Sequence, residues 1–92
     1  MSLGQIYEGV IYIIKNVVSD KVYIGSSIHG LTKRKRCHIT NLKNNKHHSL
    51  KLQRAWNKYG KGNFIFEIIE TCSKEDILVK EQYWNLCLKP LP

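Results

Sequence analysis

"VIYIIKN" at residues 10–16, followed after a few residues by "KVYIGSS" at residues 21–27, decides how this chain is read. The first segment is an unbroken run of β-branched and aromatic residues, the pattern of a strand covered on both faces. Ser19-Asp20 supply turn chemistry, and "VYIG" (22–25) resumes the strand pattern. A connection this short makes the pair an antiparallel hairpin. Gly25 and Gly30 then bracket a loop.

Outward from the hairpin, a helix is predicted from about Thr32 to Asn44, stopped by the polar tract "KNNKHH". Ser49 is a good N-cap for a second helix, on which Leu52, Ala55, Trp56 and Tyr59 share one face. Gly60 is placed to end it. "NFIFEIIE" (63–70) alternates as a third strand. Ser73 and Asp76 form a capping-box-like start to a last helix through about Leu88, with Pro90 beyond it. The order is ββααβα: an α/β (α+β) domain with a small three-stranded antiparallel sheet flanked by three helices. Its 92 residues make one domain with a single core. The sequence shows no internal repeat, linker or low-complexity segment.

The formal net charge is +8. Its distribution matters more than its size, because Lys21 to Phe66 contains no Asp or Glu yet holds eleven of the fifteen Lys and Arg residues. Such a segment cannot neutralise itself, so a polyanion is its natural partner. An acidic membrane surface is the rival, but no long apolar run or amphipathic anchor rich in Trp and Phe supports it. Ribosomal-type RNA binding stays open on composition alone. Cys37, Cys72 and Cys87 lack the CxxC or Cys/His spacing of a structural zinc site. They read as reduced, packed thiols of an intracellular protein without signal peptide or transmembrane segment.

Glu81 is the most informative single residue. Ile77, Trp84 and Leu88 form an apolar stripe on the last helix, and Glu81 lies on that stripe. A carboxylate there is paired, hydrated in a cleft or holding a metal, because an unpaired buried charge is costly. A glutamate snorkelling at the stripe's edge is the plainer alternative. Arg34 and His38, four apart, share a face of the first helix. Arg34 lies within "KRKR", where a solvated phosphate-binding cation is the plain reading, and His38 could equally be a surface histidine. His47 and His48 sit in a polar loop, suited to a phosphate contact or to solvation. Tyr12 and Tyr23 lie in the two hairpin strands, where tyrosine usually packs with its hydroxyl at the edge. On adjacent strands the two could meet and point into one cleft.

These residues converge on a resemblance. "VIYIIKN", "KVYIGSS", "LTKRKRCHITNL", "SLKLQRAWNKYGKGNFIFEIIE" and "EQYW", in this order and spacing, resemble the GIY-YIG nuclease domain across residues 9–88. The similarity is to the catalytic domains of phage-type and intron-encoded homing endonucleases. It makes Tyr12 and Tyr23 the two signature tyrosines, with the strand ending at Gly25 so that a substrate backbone comes close. Arg34 matches the helix arginine if one inserted residue is allowed around His29-Gly30; the other register places Lys33 or Arg36 there. His38 matches a basic or histidine position of the homing branch, His47 falls near another histidine of that branch, and Glu81 matches the metal-binding glutamate. Two departures stand out. The first signature reads "VIY", with Gly9 one residue early, and the asparagine of a "YN" pair soon after the last helix is missing where the chain reads "CLKPLP".

The resemblance implies a DNA endonuclease that hydrolyses phosphodiester bonds by metal-assisted, in-line attack of water. Glu81 would hold one Mg²⁺ (or Mn²⁺) ion, and Arg34 would neutralise charge in the transition state. Tyr23 or Tyr12 would be the base, with nearby cations pulling its pKa below about 10, and His38 could share the role. Lys33, Lys35, Arg36, His47, Lys51 and Arg54 would contact the phosphates of double-stranded DNA. The expected molecule is a monomeric fragment, core about 9–88, lacking a C-terminal DNA-recognition region. The alternative is a non-enzymatic basic nucleic-acid-binding module.

Overall fold

A computed structural model describes residues 9–88. β1 (Gly9–Asn16) is the middle strand, flanked by β2 (Val22–Ser27) and β3 (Phe64–Cys72), both antiparallel to it. The central place accounts for the unbroken apolar run, since both faces of β1 are covered. Val10, Tyr12 and Ile14 face α1 (Leu31–Lys43) and α2 (Leu50–Tyr59), packing with Leu42, Leu52 and Trp56. Ile11 and Ile13 face the other way with Ile24, against Ile77 and Trp84 of α3 (Ile77–Leu88). Each fully buried side chain such as Ile14 or Leu52 contributes roughly 1.5–3 kcal/mol of hydrophobic stabilisation. The result is the expected ββααβα arrangement.

The register fixes what faces what. Tyr12 lies opposite Gly25, and Tyr23 opposite Ile14, so the two tyrosines are diagonal neighbours on the α1/α2 face. The β1–β3 ladder slips between Ile11 and Tyr12, which pair with Glu70 and Ile68. Ile69 is thus an extra residue on β3, a bulge that lets an edge strand twist. In the hairpin turn, Asn16 Oδ1 accepts from the Val18 and Ser19 amides at 2.9 and 3.3 Å. Asp20 takes a left-handed conformation, with φ 64°.

Helix ends follow the sequence closely but not everywhere. Ser49 caps α2, its Oγ accepting from the Leu52 amide at 3.2 Å, and Gly60 ends it at φ 89°. Ser73 makes no side-chain cap. A 3₁₀ turn, Lys74–Asp76, leads into α3 instead, with the Asp76 amide on the Ser73 carbonyl. The apolar stripe of α3 is narrower than predicted: Ile77 and Trp84 reach the sheet, whereas Leu88 is exposed. Of the three cysteines, all free, only Cys72 is packed; Cys37 and Cys87 are exposed.

Gly25 also departs from expectation. β2 does not end there but continues to Ser27. A Cβ at Gly25 would lie 2.5 Å from Cζ of Tyr12. The glycine is therefore the bed on which the Tyr12 phenol rests.

Candidate active site

The centre of the site is a chain of rings. Tyr12 is fully buried, and its Oη lies 2.6 Å from Nε2 of His38, itself buried on the inner face of α1. His38 Nδ1 lies 2.7 Å from Nε2 of His47, in the loop between α1 and α2. The Ser49 amide donates to His47 Nδ1 at 3.0 Å.

That amide sets every proton behind it. An N–H can only donate, so His47 Nδ1 is an acceptor and the neutral ring carries its hydrogen on Nε2. His47 then donates to His38 Nδ1, which leaves the hydrogen of His38 on Nε2, donating to the Tyr12 oxygen. Burial is the main cause that lowers the pKa of both histidines, with the neighbouring histidines and Arg34 adding to it. His38 falls from 6.5 to about 4 and is neutral near pH 7.

Tyr23 sits among three histidines, its ring edge-on to His38, His47 and His48. Its Oη lies 3.1 Å from Nε2 of the exposed His48, whose ring stacks on His47. Burial raises the pKa of both tyrosines above 10 and outweighs Arg34, which acts the other way. The expectation that nearby cations pull a tyrosine below 10 is thereby corrected for the protein alone.

Of "KRKR", only Arg34 turns inward, beside Tyr12; Lys33, Lys35 and Arg36 are exposed. Arg34 Nε is buried without a partner among the described residues, a donor waiting for an acceptor. Lys35 lies over the Phe66 ring at 5.3 Å. Lys51 and Arg54 are exposed on α2 and line one groove. His47, expected as a phosphate contact, is buried within the ring chain instead.

Glu81 reaches the cleft from the opposite layer. Ser26, on the α3 face of β2, donates from Oγ to Glu81 Oε1 at 2.5 Å. The carboxylate's charge adds to the raised pKa of both Tyr12 and Tyr23, so it shares their surroundings across the β2 edge. Tyr12, Tyr23, Arg34 and His38 are therefore brought together on the α1/α2 face, with Glu81 held by Ser26 on the other side of β2. No group of three or more His, Cys, Asp or Glu side chains among the described residues could hold a metal by itself.

Sequence reading took His48 only as a loop residue for phosphate or solvent, not as the partner of Tyr23, and missed Ser26 and Gln53. Gln53 is buried, its Oε1 accepting from the His47 amide and its Nε2 donating to the Leu42 carbonyl, so it clamps the histidine loop. Period-two alternation beyond Gly25 would have placed Ser26 on the face of Ile24. Nothing in a helical pattern marks Gln53.

The fold is that of a catalytic domain of one family. The GIY-YIG catalytic domain model matches residues 8–90, and the chain belongs to that family. Within it, the chain is similar to intron-associated endonuclease 1 of Enterobacteria phage T4, 40% identical over 78 residues. That match covers 80% of this chain but only 30% of the relative's length. Among solved structures, the catalytic domain of homing endonuclease I-TevI superposes with a TM-score of 0.82 at 36% identity, covering 88% of each chain. A mutant of the I-TevI catalytic domain gives 0.81 at the same identity, covering 88% of this chain and 84% of that one.

Proposed function

We propose that this domain is a metal-dependent endonuclease that hydrolyses the phosphodiester bonds of double-stranded DNA by in-line attack of an activated water. The observation that carries this reading is the convergence of an unpartnered arginine donor, two tyrosines and one carboxylate at the edge of β2. The similarity to phage and intron endonucleases supports it, and so does the acid-free basic segment from Lys21 to Phe66. The domain acts as a monomer, inside the cell.

Arg34 offers its free Nε–H to the scissile phosphate and stabilises the charge that grows there. Tyr23 takes the proton of the attacking water while passing its own to His48, which stands at the solvent. This proton exit answers the raised pKa, because no free phenolate has to accumulate. His38 is neutral with both ring nitrogens engaged, so it positions Tyr12 rather than accepting a proton.

The donor set fits one hard divalent cation. Glu81 offers a carboxylate oriented by Ser26, and with no second acid the remaining ligands would be water and phosphate oxygens, as suits Mg²⁺ or Mn²⁺. When bound, the ion supplies positive charge at the phosphate and at the leaving 3′-oxygen.

Nicking of supercoiled plasmid tests the proposal. The wild-type domain with Mg²⁺ should nick, and a folded Glu81→Ala variant should not. Equal nicking by the variant would remove Glu81 from the chemistry. Salt-sensitive binding without any nicking by wild type would point to a binding module.

A further inference from the structure

Beneath the hairpin turn, away from the cleft, a groove of about 270 Å³ runs between β1 and α2. Lys21, Lys51, Arg54 and Lys58 line it over a floor that includes Ile14, and no acid does. Asn16 also lines it and is only 3% exposed. Its Oδ1 is committed to the Val18 and Ser19 amides, so the side-chain amide cannot turn over. Nδ2 is thereby held as a donor, buried and without a partner among the described residues. A fixed, buried donor beside four cations lacks one thing, an acceptor with negative charge.

We propose that this groove is a second anion site, which takes a backbone phosphate of the nucleic-acid substrate outside the catalytic cleft. The inference rests on the nucleic-acid reading above. Asn16 is four residues along β1 from Tyr12, about 14 Å at roughly 3.4 Å per residue, the rise of roughly four base pairs. A duplex with its scissile phosphate at Arg34 therefore carries other phosphates within reach of the groove. Arg34 Nε in the cleft and Asn16 Nδ2 in the groove are the two buried unpartnered side-chain atoms among the described residues. The groove holds the strand without reading its sequence.

The test is binding of a short duplex to the full chain in EDTA, by anisotropy at several salt concentrations, for wild type and Asn16→Asp. The aspartate keeps the turn, because one oxygen still accepts from Val18 and Ser19, but sets a carboxylate oxygen where Nδ2 stood. Asn16→Asp should weaken duplex binding about tenfold and lower the salt slope by about one phosphate's worth. Arg54→Glu, on the exposed side of the groove, should do the same and keeps the test intact if Asn16→Asp fails to fold. Titration with inorganic phosphate, followed by the Asn16 side-chain amide signal in NMR, separates the sources. A shift with the duplex but not with millimolar phosphate assigns the site to backbone phosphates. A shift with both still supports an anion site. Duplex affinity within twofold of wild type for a folded Asn16→Asp or Arg54→Glu, with an unchanged salt slope, overturns it. Cleavage plays no part in this readout, so the groove and the nuclease proposal can fail separately.

Discussion

Tyr12 Oη and His38 Nε2 lie 2.6 Å apart, and the hydrogen between them belongs to the histidine because a backbone amide two rings away requires it. Tyr12→Phe keeps the ring over Gly25 but leaves the His38 donor buried without its acceptor. The expected loss is about 1–3 kcal/mol of stability, with reduced cleavage as well. Urea denaturation checks the first part. A variant as stable as wild type would mean that His38 has another acceptor at hand.

Acid should unfold this protein earlier than its carboxylates alone would. His38 has a folded pKa of about 4 against 6.5 for an ordinary histidine. Its stabilisation is therefore complete above pH 6.5 and is lost as pH falls from 6.5 through 4, a total of about 3 kcal/mol. His47 is lowered too and adds in the same direction. Glu70, held low by Lys80 and Trp84, contributes its loss only below about pH 4.5. Urea midpoints at pH 7, 5.5 and 4.5 should fall steadily, and a flat profile would contradict neutral buried histidines.

Gly25→Ala is expected to be far more harmful than its size suggests. The new methyl would meet the Tyr12 phenol, which is fully buried and cannot retreat without repacking. Overpacking of this kind costs about 1–3 kcal/mol. It should also displace the hydroxyl from His38. Thermal melts and single-turnover cleavage should fall together; an undisturbed variant would show that the phenol does not rest there.

Arg34→Ala and Lys35→Ala should part company. Losing a transition-state contact costs about 10²–10³ in rate, whereas Lys35 is exposed and lies over Phe66. Single-turnover rates should drop steeply for Arg34→Ala while duplex binding changes little, and Lys35→Ala should stay near wild type. Matching behaviour of the two would place Arg34 in the diffuse basic patch. Removing a buried unpartnered donor should leave stability unharmed.

Much of this fold was legible because its central strand is buried twice, and double burial writes itself as the apolar run at Val10–Ile14. Ser49 and Gly60 were legible for a different reason, since caps and helix ends are local chemistry. Gly25 misled because a glycine shows that space is needed without showing what fills it. Tyr12, Tyr23, Arg34, His38 and Glu81 stood out by type and spacing. Their surroundings did not: His48 and Ser26 meet Tyr23 and Glu81 only through contacts 25 and 55 residues away in sequence, and Gln53 holds the His47 amide from the next helix. The capping pair at Ser73 and Asp76 failed because a 3₁₀ turn already satisfies the Asp76 amide there.

Glu81 belongs to the helical layer opposite Tyr12 and His38, and it follows every other site residue in the chain. Under the proposed function, an opening that lifts α3 alone from the sheet would carry the carboxylate away while Tyr12, Tyr23, Arg34 and His38 keep their own elements. Fraying of this one helix would then cost cleavage before it cost the basic face.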